Sequence, residues 1–268
     1  MRASIVAVLI GLSSSSALAQ TEKVVEIESR GQKVRAILIQ PANAVGSVIL
    51  LAGGHGKLSI TPDGTISWGK LNQLVRTRAD YAKAGFNVLV PDIAPDLKTS
   101  SGVVNGYRAG VSNATDIGAE VKYMRGLKGP VVLIGTSRGT ISAANAVGRL
   151  NSNRPDGLVL TSAFFGSKPN DFTVQKMAGN DPQRFNLPLL VVHHRRDECA
   201  GTAAGSVQPF KTWYEKSGRK LDVAWMEGGS PPKSDDCEAQ SPHGFYGIDD
   251  KVVASISTWI KAQNLPSH

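Results

Sequence analysis

The stretch PVVLIGTSRGTISA, residues 130 to 143, decides the fold. Its first half is apolar and β-branched from Val131 to Ile134, which predicts a buried strand, and its second half is rich in small residues and predicts a helix. Between them lies the pattern G-x-S-x-G, residues 135 to 139. Flanking glycines let the backbone reverse sharply and lift the hydroxyl of Ser137 clear of the sheet. Ser137 is therefore the candidate nucleophile.

The first 20 residues have the features of a secretory signal peptide. Arg2 is followed by a short apolar run and by Ala17-Leu18-Ala19, an A-x-A cleavage pattern. We expect residues 1–19 to be removed and the mature chain to begin at Gln20, in the periplasm or outside the cell. A retained N-terminal anchor is the alternative. No later run approaches the ~18 apolar residues of a membrane span, so no integral membrane segment is expected after signal removal.

Composition limits what the remaining chain does. Residues 20–268 suffice for one α/β domain with a large core. The net charge is +8, but the basic residues are scattered and are not interleaved with aromatic residues, so nucleic-acid binding is not expected. Attraction to anionic surfaces or substrates stays open. Nothing in the sequence indicates an oligomeric state.

The chain contains two cysteines, Cys199 and Cys237. In an exported protein an even count predicts one disulfide, and two buried free thiols are the alternative. Two cysteines without a C-x-x-C or H-x-x-H partner do not complete the four ligands of a structural metal site, so no metal is expected.

Strands alternate with helices along the chain, which predicts a mostly parallel sheet with helices on both faces. Residues 24–28 and 34–39 form a predicted antiparallel hairpin at one edge. Further strands are predicted over 47–52, 86–90, 157–161, 187–193 and 221–226, and helices over 71–82, 116–124, 207–214 and 248–262. Residues 92–110 are expected to be irregular, and residues 163–186 have room for a small lid only.

A serine hydroxyl needs a base to activate it, and the base needs an orienting carboxylate. Functional loops gather at the carboxyl ends of parallel strands, which restricts the search. Asp197 follows the strand that ends at His193 and is the candidate acid; Glu198 is its rival, and a surface ion pair with a neighbouring arginine is the structural alternative. His243, in the loop before the last helix, is the candidate base. A core or supporting role is expected for His193 and His194.

The cysteines support this choice independently. Cys199 lies two residues after Asp197, and Cys237 lies six residues before His243. A disulfide between them would fasten the acid loop to the base loop and hold them in register.

The chain order Ser137, Asp197, His243 resembles that of the α/β-hydrolase family. The resemblance spans roughly residues 24–262, lacks only a large lid, and is closest to exported bacterial esterase-like members. It implies that Ser137 attacks an acyl carbonyl, that His243 takes and returns the proton, and that Asp197 orients the imidazole. It also implies a small-molecule ester as substrate and no metal or organic cofactor.

The resemblance further implies an oxyanion hole. Its donors are the backbone N–H of Arg138 and one N–H from Gly54 or His55. Which of the two donates stays open, because this chain has Ala52-Gly53-Gly54-His55-Gly56 where the family has a His-Gly pair. Arg138 also departs from the uncharged residue usual there. It either favours an anionic substrate or pairs with a nearby acid.

These residues predict a serine hydrolase that cleaves carboxylic esters through an acyl-enzyme intermediate. A peptidase or amidase of the same fold is the nearest rival, because one fold hosts many chemistries. A non-catalytic binding module that retains the fold is the alternative from another class. Phe164 and Phe165 either line an acyl pocket or belong to the ordinary core.

Overall fold

The computed structural model describes residues 21–266 apart from residues 101, 128 and 167. The predicted signal peptide, residues 1–19, lies outside the described residues. The described chain forms one mixed sheet flanked by helices, with short connections between most elements.

Eight strands make the central sheet, in the order β1-β2-β4-β3-β7-β8-β9-β10. Their bounds are β1 Glu22–Ser29, β2 Gln32–Ile39, β3 Gly46–Leu51, β4 Phe86–Pro91, β7 Val131–Thr136, β8 Gly157–Thr161, β9 Leu189–His194 and β10 Asp222–Met226; the short strands β5 Lys98–Thr99 and β6 Gly102–Val103 form a separate ribbon. Strand β2 is antiparallel to β1 and β4, and all other neighbouring pairs in the central sheet are parallel. The predicted mostly parallel sheet with an antiparallel edge hairpin is confirmed.

Helices cover both faces of this sheet. They are α1 Gln73–Arg76, α2 Arg78–Lys83, α3 Val111–Arg125, α4 Gly139–Arg149, α5 Val174–Met177, α6 Val207–Glu215 and α7 Asp249–Ala262. Side chains of α3, α4 and α6 join one buried cluster, and side chains of α1, α2 and α7 join a second. Along β7 the buried side chains alternate, so that Leu133 belongs to the first cluster and Ile134 to the second. Two apolar layers therefore enclose the sheet.

Two details of the predicted elements are wrong. The helix expected over residues 71–82 is divided into α1 and α2 at Thr77, whose hydroxyl donates to the carbonyl oxygen of Gln73 at 2.8 Å. A threonine hydroxyl that bonds a carbonyl four residues earlier bends a helix. Residues 92–110 are not wholly irregular, since they contain the β5-β6 ribbon and two short 3₁₀ turns.

Among its described residues, the segment expected to hold a small lid, residues 163–186, contains only the four-residue helix α5 and a single 3₁₀ turn over Pro182–Arg184. Within the described residues, none of the helices combines the length and the apolar character that crossing a membrane requires.

The parallel arrangement brings four loops to one edge of the sheet. Strand β3 leads into residues 52–56, β7 into Ser137, β9 into residues 195–203, and β10 into residues 227–247. Candidate residues that are far apart in sequence therefore meet at the carboxyl ends of these strands.

Candidate active site

Ser137 lies on a tight turn between β7 and α4, with a left-handed backbone (φ 52°). The flanking glycines are required because backbone atoms lie too close to leave room for a side chain at either position. A Cβ atom on Gly135 would lie 2.8 Å from the carbonyl oxygen of Gly139, and a Cβ on Gly139 would lie 2.2 Å from the carbonyl oxygen of Leu51. The turn is therefore pressed against the end of β3. Its sequence pattern holds a serine in a conformation that costs a non-glycine residue about 1–2 kcal/mol.

His243 and Asp197 form a buried pair. His243 Nδ1 lies 3.0 Å from Asp197 Oδ2, and the two residues are 5% and 2% exposed. The carboxylate is ionised and only accepts, so Nδ1 carries the proton and Nε2 presents its lone pair. The rival acid Glu198 is exposed. Of the two candidate acids, Asp197 is the one in contact with His243.

Asp197 is held by further donors that the sequence did not reveal. The backbone N–H of Cys199 donates to Asp197 Oδ1 at 3.1 Å, and the hydroxyl of Thr202 donates to Oδ2 at 3.0 Å. Thr202 Oγ1 also lies 2.9 Å from His243 Nδ1. Together with His243 Nδ1, these two groups give the carboxylate three hydrogen-bond donors, which fix its orientation.

His193 is a second histidine beside the same carboxylate. Its Nε2 lies 2.6 Å from the carbonyl oxygen of Thr202 and 3.3 Å from Asp197 Oδ2. Both neighbours are acceptors, so Nε2 carries the proton. Burial would raise the pKa of Asp197, but hydrogen bonds from His193 and His243 outweigh it and lower that pKa to about 2. Asp197 is thus ionised at any physiological pH.

One cleft of about 830 Å³ borders both the candidate nucleophile and the candidate base. Ser137 and His243 both line it, together with Arg138 and Phe164. The carbonyl oxygen of His243 accepts from the hydroxyl of Ser162 at 2.7 Å, which ties the base loop to the end of β8. Of the three sequence-predicted residues, Ser137 and His243 face the same cleft, and Asp197 lies behind His243 in contact with its Nδ1.

The glycine-rich loop after β3 packs closely against Ser137. A Cβ on Gly53 would lie 3.0 Å from Ser137 Cβ. Among the described residues, the backbone N–H groups of Gly54, His55 and Arg138 donate no hydrogen bond to another part of the chain. All three candidate oxyanion donors are therefore available, and both alternatives on the β3 side remain open.

Arg108 holds this loop from behind. The arginine is 8% exposed, and its Nη2 donates to the carbonyl oxygens of Ala52, Gly53 and Gly54 at 2.8, 3.2 and 3.2 Å. In a trans peptide the N–H points opposite to the preceding carbonyl. The N–H groups of Gly54 and His55 are consequently turned away from Arg108.

Tyr107, the residue before Arg108, binds the same loop. We call Tyr107 and Arg108, with the carbonyl groups of residues 52–55 that they contact, the carbonyl clamp. The hydroxyl of Tyr107 donates to the carbonyl oxygen of His55 at 2.8 Å. A Cβ on Gly56 would lie 2.4 Å from the Tyr107 hydroxyl, so the approach requires glycine. Burial lowers the pKa of Arg108, which forms no ion pair within the described residues. Hydrogen bonds to the carbonyl oxygens of residues 52–54 offset the cost of burying the Arg108 charge.

His55 packs against Trp68, a residue that lines the cleft. The two rings are tilted by 30° with centroids 3.6 Å apart, and His55 Nδ1 accepts from the backbone N–H of Lys57 at 3.1 Å. Burial, and then the positive charges of Arg108 and Lys57, lower the pKa of His55.

Arg138 has an exposed side chain that makes no hydrogen bond or ion pair among the described residues. The alternative in which it pairs with a nearby acid is therefore not found. The side chain lies where the main cleft meets a second pocket of about 360 Å³. Phe164 lines both pockets, whereas Phe165 is buried and stacks on Phe210 at 4.3 Å. The first phenylalanine faces the site and the second belongs to the core.

The structure contains the predicted disulfide between Cys199 and Cys237, with Cα atoms 4.7 Å apart. It joins the loop of Asp197 to the loop of His243. Across the described part of the chain, no group of three or more histidine, cysteine, aspartate and glutamate side chains is placed to hold a metal ion.

The chain matches no protein-family model and no curated protein sequence. Its structure is similar to those of several enzymes. An esterase from Pyrococcus furiosus superposes with a TM-score of 0.61 at 15% identity, covering 94% of this chain and 96% of the other. A putative dienelactone hydrolase from Klebsiella pneumoniae gives 0.64 at 12% identity, covering 92% and 100%. An alpha-beta serine hydrolase homologue from Coxiella burnetii gives 0.58 at 16%, covering 92% and 100%.

These likenesses extend over nearly the whole of each chain. The protein has the α/β-hydrolase fold. At such low identities the resemblance establishes the fold and leaves the reaction to be argued from the site.

Proposed function

We propose that this protein is a serine hydrolase that cleaves carboxylic esters through an acyl-enzyme intermediate. The observation that carries the proposal is the buried His243–Asp197 pair, joined at 3.0 Å, in the loop that borders the cleft of Ser137. A nucleophile on a strained turn, a base oriented by an ionised carboxylate, and unused N–H donors beside the nucleophile are the parts that acyl transfer needs.

The first half of the proposed reaction forms the acyl-enzyme. Ser137 Oγ attacks the ester carbonyl carbon while His243 Nε2 takes the hydroxyl proton, and the carbonyl oxygen becomes an oxyanion. The N–H of Arg138, with that of Gly54 or His55, stabilises this charge. The C–O bond to the alcohol then breaks, and the alcohol leaves with the proton that His243 held.

The second half regenerates the serine. A water molecule attacks the acyl carbon, and His243 takes one of its protons. The tetrahedral intermediate collapses, the bond to Ser137 Oγ breaks, and His243 returns the proton to the serine while the carboxylic acid departs. Asp197 stays ionised throughout and stabilises the imidazolium that forms in each half. Side chains of the chain and one water account for every proton in this cycle.

The proposal includes export. Residues 1–19 have signal-peptide features, and a disulfide is at home in an oxidising compartment. The mature, oxidised chain from Gln20 is therefore the form to assay.

Hydrolysis of 4-nitrophenyl acetate and butyrate tests the proposal. We expect turnover by the mature oxidised protein and a loss of about 10⁴-fold in kcat for Ser137→Ala and His243→Ala. Ser217→Ala, at the end of α6 away from the cleft, is the matched control and should retain the wild-type rate. A fluorophosphonate probe should label the wild type and not Ser137→Ala. Equal rates in the wild type and Ser137→Ala, with no labelling, would refute the proposal.

A further inference from the structure

Two side-chain amides stand at the start of α1, on the wall of the main cleft. Asn72 occupies the N-cap position, where asparagine usually accepts a hydrogen bond from the helix backbone. Its side chain makes no such bond. Gln73 follows as the first residue of α1 and is 1% exposed. Both residues line the cleft that contains Ser137 and His243.

The polar atoms of these amides are largely unpartnered. Asn72 Oδ1, Gln73 Oε1 and Gln73 Nε2 are buried and have no hydrogen-bond partner among the described residues. A buried polar atom without a partner costs about 1–3 kcal/mol, so most proteins avoid such atoms or use them for function. Three such atoms in consecutive residues beside a nucleophile call for a functional explanation.

The amides are close to the reacting centre. The position that a Cβ on Gly53 would take lies 3.0 Å from Ser137 Cβ and 3.3 Å from Asn72 Nδ2. Asn72 Nδ2 and Ser137 thus lie on either side of the same point of the glycine-rich loop. A capping hydrogen bond would turn the Asn72 carboxamide toward the backbone of α1. Because that bond is absent, the carboxamide is directed to the glycine-rich loop instead.

We propose that Asn72 and Gln73 form a polar substrate subsite that binds a hydroxyl group near the scissile ester. Each carboxamide offers both a donor and an acceptor, which matches a neutral group that also donates and accepts. Neither amide carries a charge to recognise an ion. The substrate class is therefore a hydroxylated ester, with the hydroxyl on the acyl chain or on the alcohol. This inference rests on the proposed esterase function.

Two pairs of esters show whether the preferred hydroxyl group is on the acyl chain or on the alcohol. 4-Nitrophenyl 3-hydroxybutyrate is compared with 4-nitrophenyl butyrate for the acyl side, and glycerol monobutyrate with propyl butyrate for the alcohol side. The quantity measured is the ratio of kcat/KM within each pair, because a general loss of activity cancels in the ratio. We expect Gln73→Leu to lower this ratio about tenfold in one pair, the cost of losing a hydrogen bond in a dry site.

Thermal unfolding separates a binding amide from a structural one. Gln73→Leu keeps the side-chain bulk and removes two unpartnered atoms, so its melting temperature should stay the same or rise. The matched control is Asn87→Leu, at the opposite end of the sheet, where the amide donates to Ser47 Oγ at 3.3 Å. That variant should melt lower and keep the wild-type substrate ratios.

The outcomes are distinct. Turnover of the esters with unchanged ratios in Gln73→Leu and Asn72→Ala would overturn the subsite and leave the esterase function standing. A lower melting temperature for Gln73→Leu with unchanged ratios would assign the amide a structural role. Absence of turnover for all four esters, together with absence of fluorophosphonate labelling, would overturn the esterase function and the subsite with it.

Discussion

His193 Nε2 lies 3.3 Å from Asp197 Oδ2, the same carboxylate oxygen that His243 Nδ1 contacts at 3.0 Å. One acid is thus shared between two histidines. His193 is fully buried on β9, and its ring lies edge-on to Trp225 with centroids 6.0 Å apart. It serves as a fixed donor behind the acid, while His243 occupies the loop that faces the cleft.

Removing this donor should change the stability of the protein in acid. The pKa of Asp197 is about 2 in the folded chain and about 4 when unfolded, so its stabilisation is present above pH 4 and is lost as the pH falls toward 2. The wild type should lose roughly 2 kcal/mol over this interval through Asp197. His193→Leu should lose less, because its Asp197 starts from a higher pKa. His193→Gln, which retains a donor, should lie between the two. Urea unfolding at pH 4 and pH 2 measures the difference; parallel losses in all three proteins would contradict it.

The carbonyl clamp should affect kcat more than KM. Arg108→Met removes the guanidinium that orients the carbonyl oxygens of residues 52–54, so the oxyanion donors on that loop lose their fixed direction. Losing one such donor costs about 10²–10³ in kcat. We expect a fall of that order with little change in KM, and partial recovery in Arg108→Lys.

The control for this prediction is Arg125→Met. Arg125 also donates to a backbone carbonyl, that of Arg154, and pairs with Asp156 at 2.9 Å, but it lies at the end of α3 away from the cleft. Its loss should lower stability and leave kcat of the folded enzyme unchanged. Equal kcat losses in the two methionine variants would show that general destabilisation explains both.

The disulfide should support both stability and activity. Its cysteines are 38 residues apart, and closing a loop of that length stabilises a protein by about 3–4 kcal/mol on the chain-entropy model. Cys199→Ser with Cys237→Ser should therefore unfold at a lower temperature than the wild type. At a temperature where both remain folded, kcat should also fall, because the loops of Asp197 and His243 are no longer joined. A thermal shift with unchanged kcat would limit the bond to a structural role.

Glu120 on α3 should make stability fall as the pH rises. Burial, and then the charge of Asp116, raise its pKa well above the ordinary value, and its Oε2 is buried without a partner among the described residues. A carboxyl with a raised pKa contributes stability that is complete below its unfolded pKa of about 4.3 and is lost as the pH rises toward the folded value. Glu120→Gln, neutral at every pH, should therefore gain in melting temperature over the wild type between pH 5 and pH 8. Glu198→Gln, an exposed site, controls for the loss of one negative charge.

The sequence predicted those parts of the molecule that depend on local patterns. Apolar runs located the strands, and the glycines around Ser137 located the turn, because each reflects a constraint within a few residues. The placement of the acid and base loops at one edge of the sheet followed from the rule that the carboxyl ends of parallel strands meet there. The hydroxyl of Thr77, which divides a predicted helix, shows how one side-chain bond overrides a periodic pattern.

The supporting residues could not be predicted in this way. Arg108 reaches carbonyl groups more than 50 residues earlier, and nothing in its neighbourhood distinguishes it from an ordinary surface arginine. Thr202 contacts Asp197 only because the chain folds back after Cys199. The unpartnered amide of Gln73 is a property of its surroundings, and it becomes visible only when every neighbour has been placed.

The left-handed backbone of Ser137 lowers the stability of the protein at the residue that the proposed activity requires. Glycine adopts that conformation without steric cost, so Ser137→Gly should relieve the strain and, under the proposed function, give a more stable but inactive protein. A laboratory selection for heat tolerance alone would favour this replacement, and a library enriched without an activity screen would accumulate it. Directed evolution of this scaffold therefore has to reward turnover in every round.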